Sequence, residues 1–329
     1  VEQQVLLAAV QAYVDVKLAQ EVVALRQSNL RLITEELRAA EARFEVGEAT
    51  RTNVAIAEAR LAGSRAQLAA AEGSLKVARE AYKAATGAYP GNLAPLPALP
   101  ALPRTLEEAQ AVARSTNPLI RQAQQLVTVA DLQVALAEAA RLPTIAGGVT
   151  LRTDEQGFDT QSLGLTMNQT IYAGGRISAL QRQAIAGKDR ANATLMQTAV
   201  EIMQSVGVAW TNLQVQAASI AATREQVNAA QTAFDGVRQE AEVGSRTTLD
   251  VLDAEQELLD ARNDRLQAEA QRYVGVYQVL STMGLLTVDH LQLGIATYDP
   301  EAYFDAVKTA PSHSVQGKKL DRILKKIGT

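Results

Sequence analysis

The sequence predicts a mainly α protein: long antiparallel coiled-coil helical hairpins in two repeats, with one β-hairpin of bilayer-crossing length set among the helices. Three observations carry this. Residues 45–58 read EVGEATRTNVAIAE and residues 242–256 read EVGSRTTLDVLDAEQ, two Val-Gly breaks each followed by a Thr-rich corner. The two match at a constant offset of 197 residues, Gly47 to Gly244, and the register also pairs Ala12 and Tyr13 with Ala209 and Trp210, Leu61 with Leu258, Arg65 with Arg262, and Gly87 with Gly284. A gapless register of this length is the mark of an internal duplication. Second, hydrophobic residues make up 47% of the 329 but aromatics only 4%; alanine-rich, aromatic-poor chains build long, closely packed helices. Third, two stretches alternate apolar and polar with period two.

Taken in order, the first arm spans about Val1 to Arg43. Its apolar residues Val5, Ala9, Ala12, Val16, Val23, Leu30 and Ile33 recur at helical spacing. Gly47 ends it, suited to the left-handed position after a helix. A second arm returns over about Asn53 to Thr86 and stops at Gly87, which closes an antiparallel hairpin. Residues 88–104, AYPGNLAPLPALPALPR, hold five of the nine prolines, so this stretch is an extended crossover or a domain linker rather than helix. Thr105 with Glu108 three residues on has capping-box spacing. Asn117-Pro118 pairs an N-cap with proline at the first helical position, opening a helix that runs to about Arg141.

The alternation follows. In 144–153, TIAGGVTLRT, and in 162–172, SLGLTMNQTIY, apolar Ile145, Val149, Leu151, Leu163, Leu165, Met167 and Ile171 alternate with polar or small residues. Two strands with one greasy face are joined by the polar loop 154–161. An isolated hairpin cannot bury that face. The strands either cross a bilayer, for which about ten residues suffice, or lie on the helices. Gly-Gly pairs at 147–148 and 174–175 ease curvature within and after them. Helix resumes at Gly175-Arg176 and runs to about Glu240, roughly 100 Å at 1.5 Å per residue, a length that requires partners of the same kind. Gly244 bends the chain, and the return arm covers about Asp250 to Met283. The tail 285–329 is mixed, with TYDPEAYF and a basic stretch of Lys318, Lys319, Arg322, Lys325 and Lys326.

Composition excludes several functions. A net charge of −4 leaves no basic footprint for nucleic acid. With no cysteine there are no disulfides or thiolate sites. No apolar run is long enough for a membrane-spanning helix. His290 and His313 lack acidic neighbours at ligand spacing, and no phosphate loop, dinucleotide fingerprint or nucleophile elbow is present. No cofactor, metal or enzymatic activity is expected. The start lacks signal-peptide character and is helical from Val1, so the stretch is expected to begin partway along a longer mature protein.

QTIYAGGR (169–176), VGSRTTLDVLDA (243–254) and the paired Val-Gly hairpins resemble the TolC-type outer-membrane efflux proteins. The resemblance implies a homotrimer forming one duct. Its helices line a periplasmic tunnel, and four strands from each subunit close one barrel in the outer membrane of a Gram-negative bacterium, surrounded by outer-membrane lipid. It implies as partners a periplasmic adaptor and an inner-membrane transporter, with drugs or secreted protein passing outward. The organisation expected on that pattern is 1–87 as an N-terminally incomplete first hairpin, 88–116 as crossover and short helix at the equator, and 117–284 as second repeat. That repeat contains the membrane hairpin 144–172 and the helical hairpin 176–284, and 285–329 is a C-terminal periplasmic tail. The first strand pair is expected upstream of Val1. A soluble coiled-coil scaffold is the competing expectation, and it gives 144–172 no role.

By the same resemblance Arg246, Asp250 and Asp253 stand at the periplasmic gate: the arginine bonds to keep it closed, and the two carboxylates form a ring that selects cations. Asp250 and Asp253 lie three apart, on one helix face. Acidic residues in a first turn also serve the helix itself by capping its N–H groups. Asn53 stands where that pattern places an acidic partner, and Ala241 where it places a bracing tyrosine, so the lock is expected to be looser or built from other residues. Val46, Gly47, Glu48, Val243, Gly244 and Ser245 expose the two tips as adaptor docking points. Tyr13 and Trp210, matched in the repeat, are expected to pack helices.

Overall fold

A computed structural model of the chain describes residues 1–153, 159–295, 299–308, 317–320 and 322–323. The order is α1 (Glu2–Glu45), α2 (Arg51–Thr86), α3 (Leu106–Thr116), α4 (Pro118–Ala139), β1 (Thr144–Thr153), β2 (Asp159–Asn168), α5 (Arg176–Glu242), α6 (Thr248–Met283) and α7 (Pro300–Val307). The chain divides into two compact units, Val1–Leu286 and Thr287–Thr329.

The duplication is visible in the helix bounds: α2 and α6 have the same length, 36 residues, and the same offset of 197 relates their first and last residues. Both hairpins turn in the same way. After α1, Gly47 at φ +79° donates to the Phe44 carbonyl, and Glu48 donates to that of Arg43. After α5, Gly244 at φ +80° donates to Ala241, and Ser245 to Glu240. This double closure satisfies orphan carbonyls and needs a left-handed residue that glycine adopts freely. Thr50 and Thr247 then start the return arms, accepting hydrogen bonds from the Asn53 and Asp250 amides.

In the first unit α1 packs between α2 and α6, α5 lies against α6 and α4, and α3 sits on α5 and α6. The interior is a series of thin layers between helices. One holds Val227, Phe234, Val251, Leu258 and Ala261, and another Ile33, Ala40, Ala57, Leu61 and Leu252. Repeat partners share these roles: Val54 and Val251 are buried, as are Leu61 and Leu258. The crossover 88–103 carries no helix or strand and lies along the bundle. The Tyr13 hydroxyl donates to the Ala94 carbonyl at 2.7 Å, and the Tyr273 hydroxyl to that of Pro97 at 3.2 Å. Tyr13 also packs its ring on Tyr82, centroids 6.4 Å apart, so its expected packing role extends to holding the crossover.

Three expectations need adjustment. Glu108 does not bond the Thr105 amide; its carboxylate reaches one residue further back to the Arg104 amide at 2.9 Å, while Thr105 caps as expected. The second strand runs over Asp159–Asn168 rather than 162–172. Its ladder ends at Thr144 opposite Asn168; before Thr144 stands Pro143, which has no N–H to offer, so nothing continues the pairing towards Ile171. Among the described residues the strands make no packing against the helices and pair with each other. Ile145, Val149, Leu151, Leu163, Leu165 and Met167 are all 64% or more exposed on one face of the hairpin.

In the second unit α7 is capped by Asp299, which accepts from the Glu301 and Ala302 amides. Residues 154–158 of the expected loop, Thr297 and Tyr298 of TYDPEAYF, His313, Lys325 and Lys326 lie outside the described residues.

Candidate functional site: the hairpin tips and the joint between repeats

Each tip presents a valine beside its glycine: Val46 is 71% and Val243 81% exposed. Glu48 and Gly244 are exposed too, and Ser245 turns its hydroxyl back to the Glu240 carbonyl at 2.8 Å. Hydrogen-bonded turns with exposed valines offer two matching apolar points at the hairpin tips.

Arg246, Asp250 and Asp253 sit within two turns of chain but take three separate partners. Arg246 Nε donates to Glu240 Oε2 at 2.8 Å, across the turn within the same hairpin. Asp250 completes a capping box: its carboxylate accepts from the Thr247 amide and hydroxyl, both at 2.8 Å. These bonds, helped by the Arg246 charge, hold its carboxyl below the usual range. Asp253 meets Arg60 of α2 at 2.6 Å, a bridge between the two repeats with both side chains about half exposed. Asn53 occupies the Asp250 position of the first tip and repeats the cap without charge, its Oδ1 accepting from the Thr50 hydroxyl at 3.1 Å. Ala241 is buried in the layer that also holds Phe234 and Val251, so it packs the interior of the bundle.

Beyond Asp253, Glu255 is 5% exposed. Asn29 of α1 donates to its Oε1 at 2.6 Å, and Ser64 of α2 donates to Asn29 Oδ1 at 3.0 Å. Three helices are thereby stitched by a buried polar chain. Burial pushes the Glu255 carboxyl up to about 7, the Asn29 bond opposing and Glu36 adding. Sequence reading missed Arg60, Glu240, Asn29 and Glu255 as members of this region. Only Glu255 left a signal: it matches Glu58 in the repeat, yet Glu58 is exposed.

Among the described residues there is no group of His, Asp and Glu side chains able to hold a metal ion, and no helix is long and apolar enough to cross a membrane. Trp210 is half buried on α5.

Residues 111–284 match the family model described as outer membrane efflux protein. The chain is 39% identical over 316 residues to the outer membrane efflux protein BepC of Brucella suis, covering 93% of this chain and 69% of that protein. It is 26% identical over 310 residues to the alkaline protease secretion protein AprF of Pseudomonas aeruginosa, covering 90% and 64%. Among solved structures, the outer-membrane channel OprN superposes with a TM-score of 0.73 at 22% identity, over 86% of this chain and 66% of that one.

Proposed function

Since the chain belongs to the outer membrane efflux protein family, we propose that it is the exit duct of a tripartite efflux pump or type I secretion system. It passes drugs or secreted protein across the outer membrane. The observation that carries this is the β-hairpin. Two ten-residue strands, paired with each other alone among the described residues, leave one apolar face exposed. Ten residues match the thickness of a bilayer for a tilted strand. Open strand edges are not tolerated in hydrocarbon, so the hairpin must share a closed barrel with other strands.

A homotrimer supplies them. Its formation is supported by α4, which leaves Leu126, Val129, Leu132 and Leu136 about half or more exposed along its length. A scaffold has no use for an unshielded hairpin of this kind. On this reading 1–87, 88–116 and 117–284 are first hairpin, equatorial crossover and second repeat, and 285–329 is a periplasmic tail. The tips at Val46, Gly47, Glu48, Val243, Gly244 and Ser245 receive a periplasmic adaptor that bridges to an inner-membrane transporter. Arg246, Asp250 and Asp253 govern the periplasmic aperture. No enzymatic step is required of the chain.

The test is to express the full-length protein in a Gram-negative host and follow it to the membrane. Heat-modifiable trimers in the outer-membrane fraction with single-channel conductance in planar bilayers are expected. A monomer recovered from the cytosol sinks the proposal.

A further inference from the structure

Glu255 lies where α6 crosses α1, and its two oxygens have different surroundings. Oε1 accepts from Asn29, and Oε2 has no hydrogen-bond partner. A cavity of about 290 Å³ beside it is lined in part by Gln231, Asp235, Arg238 and Arg262. The cations lining it make no hydrogen bond or ion pair with Glu255. Arg262 donates to Gln231 Oε1 at 2.6 Å, and Arg238 lies 3.9 Å from Glu242. The acids facing it, Asp235 on α5 and Glu36 on α1, oppose a second negative charge; Asp235 accepts from Gln231. An ionised carboxylate buried with one hydrogen bond and no ion pair is costly. Protonation lowers that cost: Oε1 then serves as the carbonyl oxygen that takes the Asn29 N–H, and Oε2 is the oxygen left to carry the proton.

We propose that Glu255 is a proton-operated latch between the two repeats. With the carboxyl protonated, α6 stays seated on α1 through Asn29 and Ser64. With the carboxyl ionised, the seat loosens, water enters the cavity, and the two hairpin tips separate. The first repeat has no counterpart, because Glu58 at the matching position is in solvent. The latch therefore acts at the joint between repeats and has no equivalent at Glu58. The direction follows from burial: the group binds its proton more tightly when the joint is closed, so the closed joint loses stability as pH rises from the exposed-carboxylate range towards about 7, where the loss levels off. The latch is internal to one subunit, so it stands or fails apart from the export reading.

The chain has no cysteine, so Glu48→Cys and Ser245→Cys place one spin label on each tip of the full-length protein. Electron–electron distances in spin-diluted assemblies, read from mildly acidic to mildly alkaline pH, are expected to lengthen and broaden as pH rises through the window between the exposed-carboxylate range and about 7. Glu255→Gln, which keeps the shape of the neutral acid, is expected to hold the short distance at every pH. A double His290→Gln, His313→Gln variant is expected to respond like the parent. No pH response in the parent, the parent's response surviving in Glu255→Gln, or its loss in the histidine variant overturns the latch.

Discussion

Asp253 of α6 and Arg60 of α2 meet at 2.6 Å, joining the two repeats one turn below the second tip. The carboxylate assigned by resemblance to a selectivity ring is thus paired with a cation from the other hairpin. Because both side chains are about half exposed, the pair contributes about 0.2–1 kcal/mol and weakens with salt.

Arg60→Ala is expected to leave the melting temperature within a few degrees of the parent but to raise cation selectivity in planar bilayers, since it frees Asp253. Asp253→Ala lowers selectivity, and the double variant matches Asp253→Ala alone. If Arg60→Ala leaves the reversal potential of the assembled channel unchanged, the bridge does not control the ring.

Asp250 caps α6, and its proposed place in the selectivity ring is separable from that cap by substitution. Asp250→Asn keeps shape but loses charge, so it is expected to reduce cation selectivity and block by trivalent cations. Thr247→Ala removes the cap and costs about 1 kcal/mol, fraying the first turn of α6 while sparing selectivity. Because the Asp250 carboxyl is held below its usual range, its contribution is present above the unfolded value and disappears as pH falls through the folded one. Amide exchange at Asp250, corrected for intrinsic rate, is therefore expected to accelerate in acid and to lose that response in Asp250→Asn.

Gly87 and Gly284 are repeat partners with nearly equal backbones, φ +85° and +83°. A Cβ at Gly87 meets open space, whereas one at Gly284 lies 2.7 Å from Asn117 Cα. There the elbow between α3 and α4 seats on the end of α6: Thr116 donates to the Met283 carbonyl at 2.6 Å, and Asn117 to that of Thr282 at 2.9 Å. Gly87→Ala is expected to cost about 1 kcal/mol from its left-handed backbone. Gly284→Ala adds the clash and costs about 3 kcal/mol. Denaturant unfolding of the two variants gives the comparison, and equal losses contradict the close approach.

Leu165 and Thr166 face opposite sides of β2, paired with Gly147 and Ala146. Leu165→Arg on the apolar face is expected to cost about 2–4 kcal/mol in a bilayer and to cut the yield of heat-modifiable trimer. Thr166→Arg leaves assembly intact and alters conductance. The reverse ranking would place the other face against lipid.

Several features were legible because they are written in neighbouring residues. Asn117-Pro118 opens α4, Thr105 caps α3, and Gly47 and Gly244 end their helices where a left-handed residue is required, all by contacts within a few positions. The apolar face of the β-hairpin was equally plain, but its last rung was not. Where β2 stops depends on Pro143, which lies on the other side of the ladder.

The amino-acid order by itself determined the duplication, the helix ends, the strand pair and its greasy face, since each depends on periodicity and backbone chemistry that act over a few residues. Only the folded chain decided which charges meet. Arg60 and Asp253 are 193 positions apart and Asn29 and Glu255 are 226 apart. The crossing of α1, α2 and α6 alone brings them into contact. That crossing also makes two matched glutamates unequal, leaving Glu58 in water and enclosing Glu255. A repeat copies helices faithfully, but its two copies pack on different neighbours, and burial belongs to the neighbour.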